Sequence, residues 1–454
     1  MQRPSLRAGL VGFGEVNSPR ELIARKCAAA QAALEAQGVE VLAAGPVSDE
    51  VTSSEEAQAI ARLRTGRFDL LVACVAGWIP SQTIINVLEP FRHLPIVLWG
   101  LTGEYVDGRL ITTADQAGTS AVRDTLDALG YRFWYVYDTP DRPYAQAARV
   151  AGLARVAQAA ASLRGSRVGM MGYRDMHLYA TLVDGVSLRR LLGVEVESFD
   201  TLEMVQQMER LDAQAVADWV TAVQQRWQWE GEPPLDTVER GVRLYLALQD
   251  KVRERTYSAL SLVDVYGVKK LLGFTPAMTM MLLMDEAGVA AIPENDGLGA
   301  VTQLLVRGLT GQVGAYFEFY EFMADRVLVG VPDFVPAEVV EGPVRVRPCQ
   351  FGSVAGVLNI SRVKPGRVTL CRLASRGDRY RLHVVTGEAF TPQPWEEAGW
   401  APPAPQLPSL EVVLDTPVDE FAQQVLGQHY ILAYGDRRQP LGDICKLLGI
   451  EEIS

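Results

Sequence analysis

Short apolar runs that alternate with amphipathic segments organise the first 164 residues of the chain. Leu6 to Phe13 is a short apolar run, and Phe68 to Val75 is a nearly continuous one. Continuous apolar runs of this length are typical of parallel strands that are covered on both faces. Helical segments follow both runs, and Pro95 to Trp99 is a further strand. This order predicts an α/β domain with a doubly wound parallel sheet over residues 1–164.

The pattern begins again and then changes further along the chain. Arg167 to Met171 is an apolar strand, and Thr237 to Ser258 has the spacing of one long amphipathic helix. From Phe334 onward, short segments that resemble strands, several with alternating polarity, are separated by turn residues. We therefore predict a second doubly wound α/β domain over residues 165–333 and a β-rich, barrel-like domain over residues 334–454.

Composition narrows the classes of function. The 454 residues carry a net charge of −12, which argues against nucleic acid or an anionic membrane as a partner. The five cysteines are scattered without a Cys-x-x-Cys pair, so we expect buried thiols in a reducing compartment. The N-terminus lacks the layout of a signal peptide, and no apolar run is long enough to span a bilayer. These features predict a cytoplasmic globular enzyme.

Two carboxylates one residue apart form the main candidate site. Glu294 and Asp296 lie in a Pro-Glu-Asn-Asp-Gly segment ahead of a predicted helix. In an extended segment both side chains point the same way, and paired carboxylates suit a divalent cation. The alternative is an acidic turn in which Asp296 caps the helix, and spacing alone favours this alternative.

Other candidates each have a functional and a structural interpretation. Trp78 follows a parallel strand, where it can stack on a sugar or close the core. His177, after a strand-end turn, can contact a substrate hydroxyl or cap the turn. Glu318 lies in an aromatic run that would raise its pKa, unless it points to solvent. Lys269 can neutralise an anionic group, or it can lie on a solvated face. His429 precedes an apolar strand, where it can face a cleft or bond at the strand start.

Several segments together resemble the L-fucose isomerase and L-arabinose isomerase superfamily. They are the run from Asp264 to Lys270, the Glu294-x-Asp296 pair, the Gly427-Gln428-His429-Tyr430 segment and the Arg167 to Gly172 strand. The resemblance covers the chain from end to end and includes the order of its three domains. No single motif is specific, and the assignment depends on their order and spacing.

The resemblance implies an activity, a metal and an assembly. Members of this superfamily are aldose–ketose isomerases that act on small sugars through an enediol, and they are usually manganese-dependent. Carried over by position, it implies Glu294 and Asp296 as catalytic acids and metal ligands, and His429 as the third ligand. The expected cofactor is Mn²⁺ or Mg²⁺. The expected assembly is a homo-oligomer, a trimer or hexamer in which neighbouring subunits complete each site.

One departure from the family pattern leaves alternatives open. Val263 lies where the family has its first metal carboxylate, so the chain resembles a divergent branch whose metal site is altered or lost. The first alternative is a different carbohydrate enzyme that cleaves or transfers a carbon unit of a modified or phosphorylated sugar. The second is a non-catalytic protein that binds sugars or assists assembly. Fold passes between relatives more reliably than reaction does.

Overall fold

Two parallel sheets and a closed antiparallel barrel form the framework of the protein, which confirms the predicted fold class. The structure is a computed structural model, and it describes residues 5–331, 333–351, 354–392 and 408–454. The chain forms two units, of which the first ends at Ala161 and the second runs from Ser162 to Ser454. The division lies close to the predicted boundary at residue 164.

The first unit contains a five-stranded parallel sheet in the order β2-β1-β3-β4-β7, with a small hairpin of β5 and β6. Its strands are β1 (Leu6–Phe13), β2 (Val39–Val47), β3 (Leu70–Val75), β4 (Ile96–Gly100), β5 (Glu104–Val106), β6 (Arg109–Ile111) and β7 (Phe133–Tyr137). Its helices are α1 (Arg20–Glu35), α2 (Glu55–Leu63), α3 (Ser81–Leu88), α4 (Asp115–Ala128) and α5 (Ala147–Leu163), with a 3₁₀ turn at Glu89–Phe91. Every residue of β3 and β4 is buried, as expected for central parallel strands.

The second unit contains the remaining strands and helices. Its strands are β8 (Arg167–Met171), β9 (Glu195–Phe199), β10 (Gln228–Trp229), β11 (Ala259–Leu262), β12 (Ala290–Ile292), β13 (Ala315–Phe322), β14 (Val327–Gly330), β15 (Arg345–Phe351), β16 (Val354–Asn359), β17 (Gly366–Arg376), β18 (Arg379–Phe390), β19 (Ser409–Leu414), β20 (His429–Tyr434) and β21 (Glu451–Ile453). Its helices are α6 (Gly185–Leu192), α7 (Thr201–Arg210), α8 (Ala213–Arg226), α9 (Leu235–Arg255), α10 (Ala277–Asp285), α11 (Gly297–Thr310), α12 (Val418–Gln424) and α13 (Arg438–Leu448). Shorter helical segments are the 3₁₀ turns Asp175–His177 and Ala337–Val339 and the π-helical Asp264–Leu272.

The parallel sheet of the second unit has the order β12-β11-β8-β9. Its strands are in register so that β8, β11 and β12 end side by side: Leu262 pairs with Met171, and Ser261 pairs with Ile292. The long helix α9 and α10, which is buried from Ala277 to Met284, belong to one apolar core that continues into the barrel strands. The carboxyl ends of the three strands therefore meet at one edge of a rigid layer.

Six antiparallel strands close the barrel in the order β17-β20-β13-β14-β19-β18, and β18 pairs again with β17. Strands β13 and β14 lie before residue 334, so the barrel begins earlier in the chain than the predicted third domain. An aromatic cluster of Phe319, Phe421 and Tyr430 packs in the barrel, with ring centroids 5.1 to 6.0 Å apart. Closure leaves these six strands without a free edge.

Among the described residues, no helix is long and apolar enough to cross a membrane.

Candidate functional site

Three acidic segments follow the adjacent ends of β8, β11 and β12. Asp175 follows β8, Asp264 begins the π-helical segment after β11, and Glu294 lies in the loop between β12 and α11. Ligands bind beyond the carboxyl ends of the strands in open parallel sheets. The topology thus brings side chains that are far apart in sequence to one place.

Asp175 fixes the first turn of the π-helical segment. It has no exposed surface, and one oxygen accepts hydrogen bonds from the amides of Asp264 and Val265, both at 2.8 Å. Its other oxygen accepts from the amide of Tyr266 at 2.8 Å. A carboxylate that accepts several backbone N–H groups replaces the missing partners at a helix start. Asp175 is therefore a positioning residue for the segment that carries Asp264 and Lys269.

Asn295 joins the three strand ends. Its side-chain amide donates to the carbonyl of Met171 at 2.8 Å and of Tyr173 at 2.5 Å, and its backbone N–H donates to the carbonyl of Leu262 at 3.0 Å. Glu294 and Asn295 have positive φ angles of 60° and 50°. Asparagine tolerates this region, but it costs glutamate about 1 kcal/mol. The loop is thus not extended, and Glu294 and Asp296 have separate surroundings.

Glu294, His429 and Glu318 form the centre of the site. Glu318 and His429 are direct partners on the antiparallel strands β13 and β20. The Nε2 atom of His429 lies 3.8 Å from the Oε2 atom of Glu318, and its Nδ1 atom lies 3.5 Å from the Oε2 atom of Glu294. The imidazole therefore lies between the two carboxyl groups. The Glu318 side chain is 30% exposed and the Glu294 side chain 12% exposed, so both can be reached from outside.

Asp296 points to a different set of partners. Its Oδ1 atom accepts from the amide of Gly299 at 2.8 Å, which caps α11 as the structural interpretation predicts. Arg372 forms a two-pronged ion pair with both carboxylate oxygens, and the Tyr316 hydroxyl donates to Oδ2 at 2.8 Å. The Tyr316 ring also stacks on His429 with centroids 4.3 Å apart. Asp296 is thus committed to holding α11, Arg372 and Tyr316 together.

Lys269 lies between two further acids. Its ammonium group is 3.2 Å from Asp264 and 3.5 Å from Asp333, and the three side chains are largely buried. Burial works against the charge of Lys269, but Asp333 and Asp264 outweigh it and raise the pKa of the lysine. Lys269 is therefore a fixed cation and not a solvated surface residue.

Burial, together with neighbouring acids, raises the pKa of both central carboxyl groups. Burial, followed by the charges of Asp264 and Glu318, raises the pKa of Glu294 to about 9. Burial and Asp333 raise the pKa of Glu318 to about 7, although Lys269 opposes the change. At neutral pH Glu294 is thus protonated while a large fraction of Glu318 is ionised. Two carboxyl groups with separated pKa values are the usual arrangement of an acid and a base.

The other charged groups keep fixed states. Burial lowers the pKa of His429 to about 3, so its imidazole is neutral. Burial alone would raise the pKa of Asp296, but Arg372 outweighs it and lowers that pKa, so Asp296 stays ionised. Because His429 is neutral and Glu294 is protonated at neutral pH, their contact is not an ion pair.

The structure brings some of the predicted site residues together and places others apart. Glu294, Glu318 and His429 are in contact, and Lys269 interacts electrostatically with Glu318. His177 is exposed in the segment that carries Asp175, with its ring 5.4 Å from Tyr266. Trp78 follows β3 in the first unit, is 39% exposed and bonds to Thr113 only through its backbone. The role of Trp78 in substrate binding stays a prediction.

Residue-by-residue reasoning from the sequence missed Arg372, Tyr316, Asp333 and the anchoring role of Asp175. Arg372 had a signal, because it interrupts the mostly apolar run from Val368 to Ala374 in β17. A charge inside a buried strand needs a buried partner. The identity of that partner, Asp296, required the fold.

The present side-chain arrangement does not fit the divalent cation that the resemblance implies. Among the described residues, no three His, Cys, Asp or Glu side chains are grouped so that they could hold a metal ion. Both oxygens of Asp296 are occupied by Arg372, Tyr316 and Gly299. We therefore derive no step through a metal.

Known proteins with similar sequences are sugar isomerases. The chain is 22% identical to the sulfoquinovose isomerase of Priestia aryabhattai over 88% of this chain and 89% of the relative. It is also 22% identical to the sulfoquinovose isomerase of Alkalicoccus urumqiensis over 79% of this chain and 80% of the relative. A shorter match, 31% identical over 26% of this chain and 20% of the relative, is to the L-fucose isomerase of Bacteroides thetaiotaomicron. No protein-family model matches the sequence.

The anchoring role of Asp175 predicts a local effect of its removal. In Asp175→Ala, the amides of residues 264–266 lose their acceptor, at a cost of about 1–3 kcal/mol for each buried donor left unpaired. Hydrogen–deuterium exchange should therefore accelerate in Asp264–Leu272. The control is Asp200→Ala, which removes a single cap bond from the amide of Leu202 in α7 and should affect α7 alone. Unchanged exchange over Asp264–Leu272 would contradict the anchoring role.

Proposed function

We propose that the chain, a divergent member of the L-fucose isomerase superfamily, is an aldose–ketose isomerase that moves a proton through an enediol. The relatives support a sugar isomerase, and the mechanism is the part proposed from geometry. The observation that carries it is the placement of Glu294 and Glu318 at the two ring nitrogens of His429. This group lies beside the carboxyl ends of β8, β11 and β12, where a substrate binds in this kind of sheet.

The reaction needs one base and one acid. From the aldose, a carboxylate takes the proton from C2 while a carboxylic acid gives a proton to the carbonyl oxygen on C1. The C1=O double bond becomes a C1–OH single bond, and a C1=C2 double bond forms. The resulting enediol then loses its C2 hydroxyl proton as C1 takes up a proton, which leaves a carbonyl at C2. The net change moves hydrogen within the sugar and needs no second reactant.

We assign the base to Glu318 and the acid to Glu294. Glu318 is the more exposed carboxyl group, and its pKa of about 7 supplies both an ionised form and proton affinity at neutral pH. Glu294 is more deeply buried and keeps its proton up to a pH of about 9. The neutral His429 lies between the two groups, with one near each ring nitrogen, and takes no proton itself at neutral pH.

We further propose that the sugar carries an anionic group such as a sulfonate. Two curated relatives are named for sulfoquinovose, a sulfonated sugar. In this chain, three groups that can carry positive charge lie in the strand-end segments of the site. His177 and Lys270 flank the exposed ring of Tyr266, with the Lys270 ammonium group 5.2 Å from its centroid. Arg174 lies over the ring of Tyr179 at 4.8 Å. Charge-assisted hydrogen bonds from such groups suit a sulfonate.

Turnover of a substrate panel tests the function. Sulfoquinovose and neutral aldoses such as fucose and arabinose are incubated with the full-length protein, and ketose is measured by NMR. We expect isomerisation of the sulfonated sugar and a loss of about 100-fold or more in kcat in Glu318→Gln, which removes the base. The matched control is Glu321→Gln, because Glu321 is an exposed carboxylate on the same strand.

The sulfonate, the base and the enzymatic activity itself are each contradicted by a different result. Ketose formation from a neutral aldose alone would contradict the sulfonate assignment. A Glu318→Gln variant as active as the control would contradict the assignment of the base. A thermal shift with a sugar but no ketose from any of them would favour the sugar-binding alternative over an enzyme.

The pH dependence of kcat/KM follows from the two assignments. Glu318 must be ionised, so activity should fall as the pH drops below about 7. Glu294 must be protonated, so activity should fall as the pH rises above about 9. The expected profile is bell-shaped, because these limbs report the base and the acid of the free enzyme. A profile that is flat across both limbs would contradict the assignment.

A further inference from the structure

We infer that this site isomerises its sugar without a divalent cation, and that the Lys269 ammonium group supplies the positive charge at the enediol. The inference rests on the proposed function. It explains why the side chains depart from the metal site that the resemblance implies. Three features of the geometry carry it.

The first feature is that Asp296 has no coordination capacity left. Its Oδ1 atom accepts from Gly299 and from the Nη2 atom of Arg372 at 3.0 Å, and its Oδ2 atom accepts from Tyr316 and from the Nη1 atom of the same arginine. Four donors fill the acceptor sites of one carboxylate. The guanidinium group is 2% exposed and Asp296 is 1% exposed, so water does not compete for this pair. The guanidinium group of Arg372 therefore occupies the carboxylate oxygens of Asp296 that a metal ion would need as ligands.

The second feature is the orientation of His429. Glu294 lies at its Nδ1 atom and Glu318 lies at its Nε2 atom. The two ring nitrogens point in divergent directions, so a metal bound to either one gains only one of these carboxylates. Protein sites for catalytic divalent ions commonly combine three protein ligands. Glu294 and Glu318 are therefore arranged as an acid and a base, one at each ring nitrogen, and they do not share one metal position with the imidazole.

The third feature is that Asp264 already has a cationic partner. Val263 is apolar where the family's first metal carboxylate is expected, and the next residue, Asp264, is held by Lys269. The same ammonium group contacts Asp333. Two acids near the central glutamates thus already have fixed cations, Arg372 for Asp296 and Lys269 for Asp264.

Lys269 can supply the positive charge that a metal ion would supply in a metal-dependent isomerase. It lies on the π-helical segment, 3.2 Å from Asp264, and interacts electrostatically with Glu318, the proposed base. As the base removes the C2 proton, negative charge develops on the oxygens of the substrate. A preorganised cation in a partly buried site stabilises that charge in the transition state.

Metal binding is tested directly with the full-length protein. The protein is treated with a chelator, its metal content is measured by elemental analysis, and Mn²⁺ is titrated in while the signal of free Mn²⁺ is followed by electron paramagnetic resonance. We expect no stoichiometric metal, and no loss of free signal that distinguishes the unmodified protein from Glu294→Gln. One bound Mn²⁺ for each chain, lost in Glu294→Gln, would overturn the inference.

Turnover after chelation separates this inference from the proposed function. We expect sulfoquinovose isomerisation to be unchanged by chelator and by added Mn²⁺. Activity that is lost on chelation and restored by Mn²⁺ would overturn the inference and leave the isomerase function standing. A protein that isomerises no sugar in any of these conditions contradicts the proposed function, and the titration still decides whether a metal site exists.

Substitution of Lys269 tests the replacement charge. Lys269→Met should lower kcat by about 100-fold, whereas Lys269→Arg keeps a cation and should recover part of that loss. Lys446→Met, which removes an exposed lysine of α13, is the control. Circular dichroism checks that each variant is folded. If folded Lys269→Met kept full kcat, the charge would be unnecessary and the inference would fail.

Discussion

The buried ion pair between Asp296 and Arg372 is the interaction on which the rest of the site depends. It joins the first turn of α11 to strand β17 of the barrel, and Arg372 also donates to the carbonyl of Ala180 at 2.9 Å. Removing one partner of such a pair leaves an uncompensated buried charge, which costs about 3–5 kcal/mol. Tyr316 bonds to the same carboxylate and stacks on His429. The orientation of the imidazole therefore depends on this pair.

Burial is the main cause of the raised pKa values of the two central carboxyl groups, and neighbouring charges add to it or oppose it. The charges of Asp264, Glu318 and Asp296 add to burial in raising the pKa of Glu294 to about 9. Glu318 is more exposed and its environment includes the cation Lys269, so its pKa rises only to about 7. The site thus has a proton donor, Glu294, and a proton acceptor, Glu318, at the two ring nitrogens of His429.

Much of the framework follows from the sequence, and little of the polar network does. The buried β3 and the alternating strands after residue 334 follow from apolar periodicity, because burial on one or two faces determines which positions are apolar. The cap formed by Asp296 was also predictable, since an acid ahead of a helix bonds locally. The pairing of Asp296 with Arg372 joins positions 76 residues apart, so no local pattern specifies it. Similarly, the two faces of His429 are determined by strand register and by the left-handed turn at Glu294.

Exchange of a proton between a carboxylate and the sugar is detected by isomerising the ketose in D₂O and following the products by proton NMR. Glu318 is 30% exposed, so the proton that it takes from C1 of the ketose can exchange with solvent before it is returned to C2. We expect deuterium to enter C2 of the aldose in step with turnover, and Glu318→Gln to slow this incorporation as much as it slows isomerisation. An aldose that keeps protium at C2 through repeated turnovers, as a direct hydride shift between the carbons would leave it, would contradict proton transfer through the exposed Glu318.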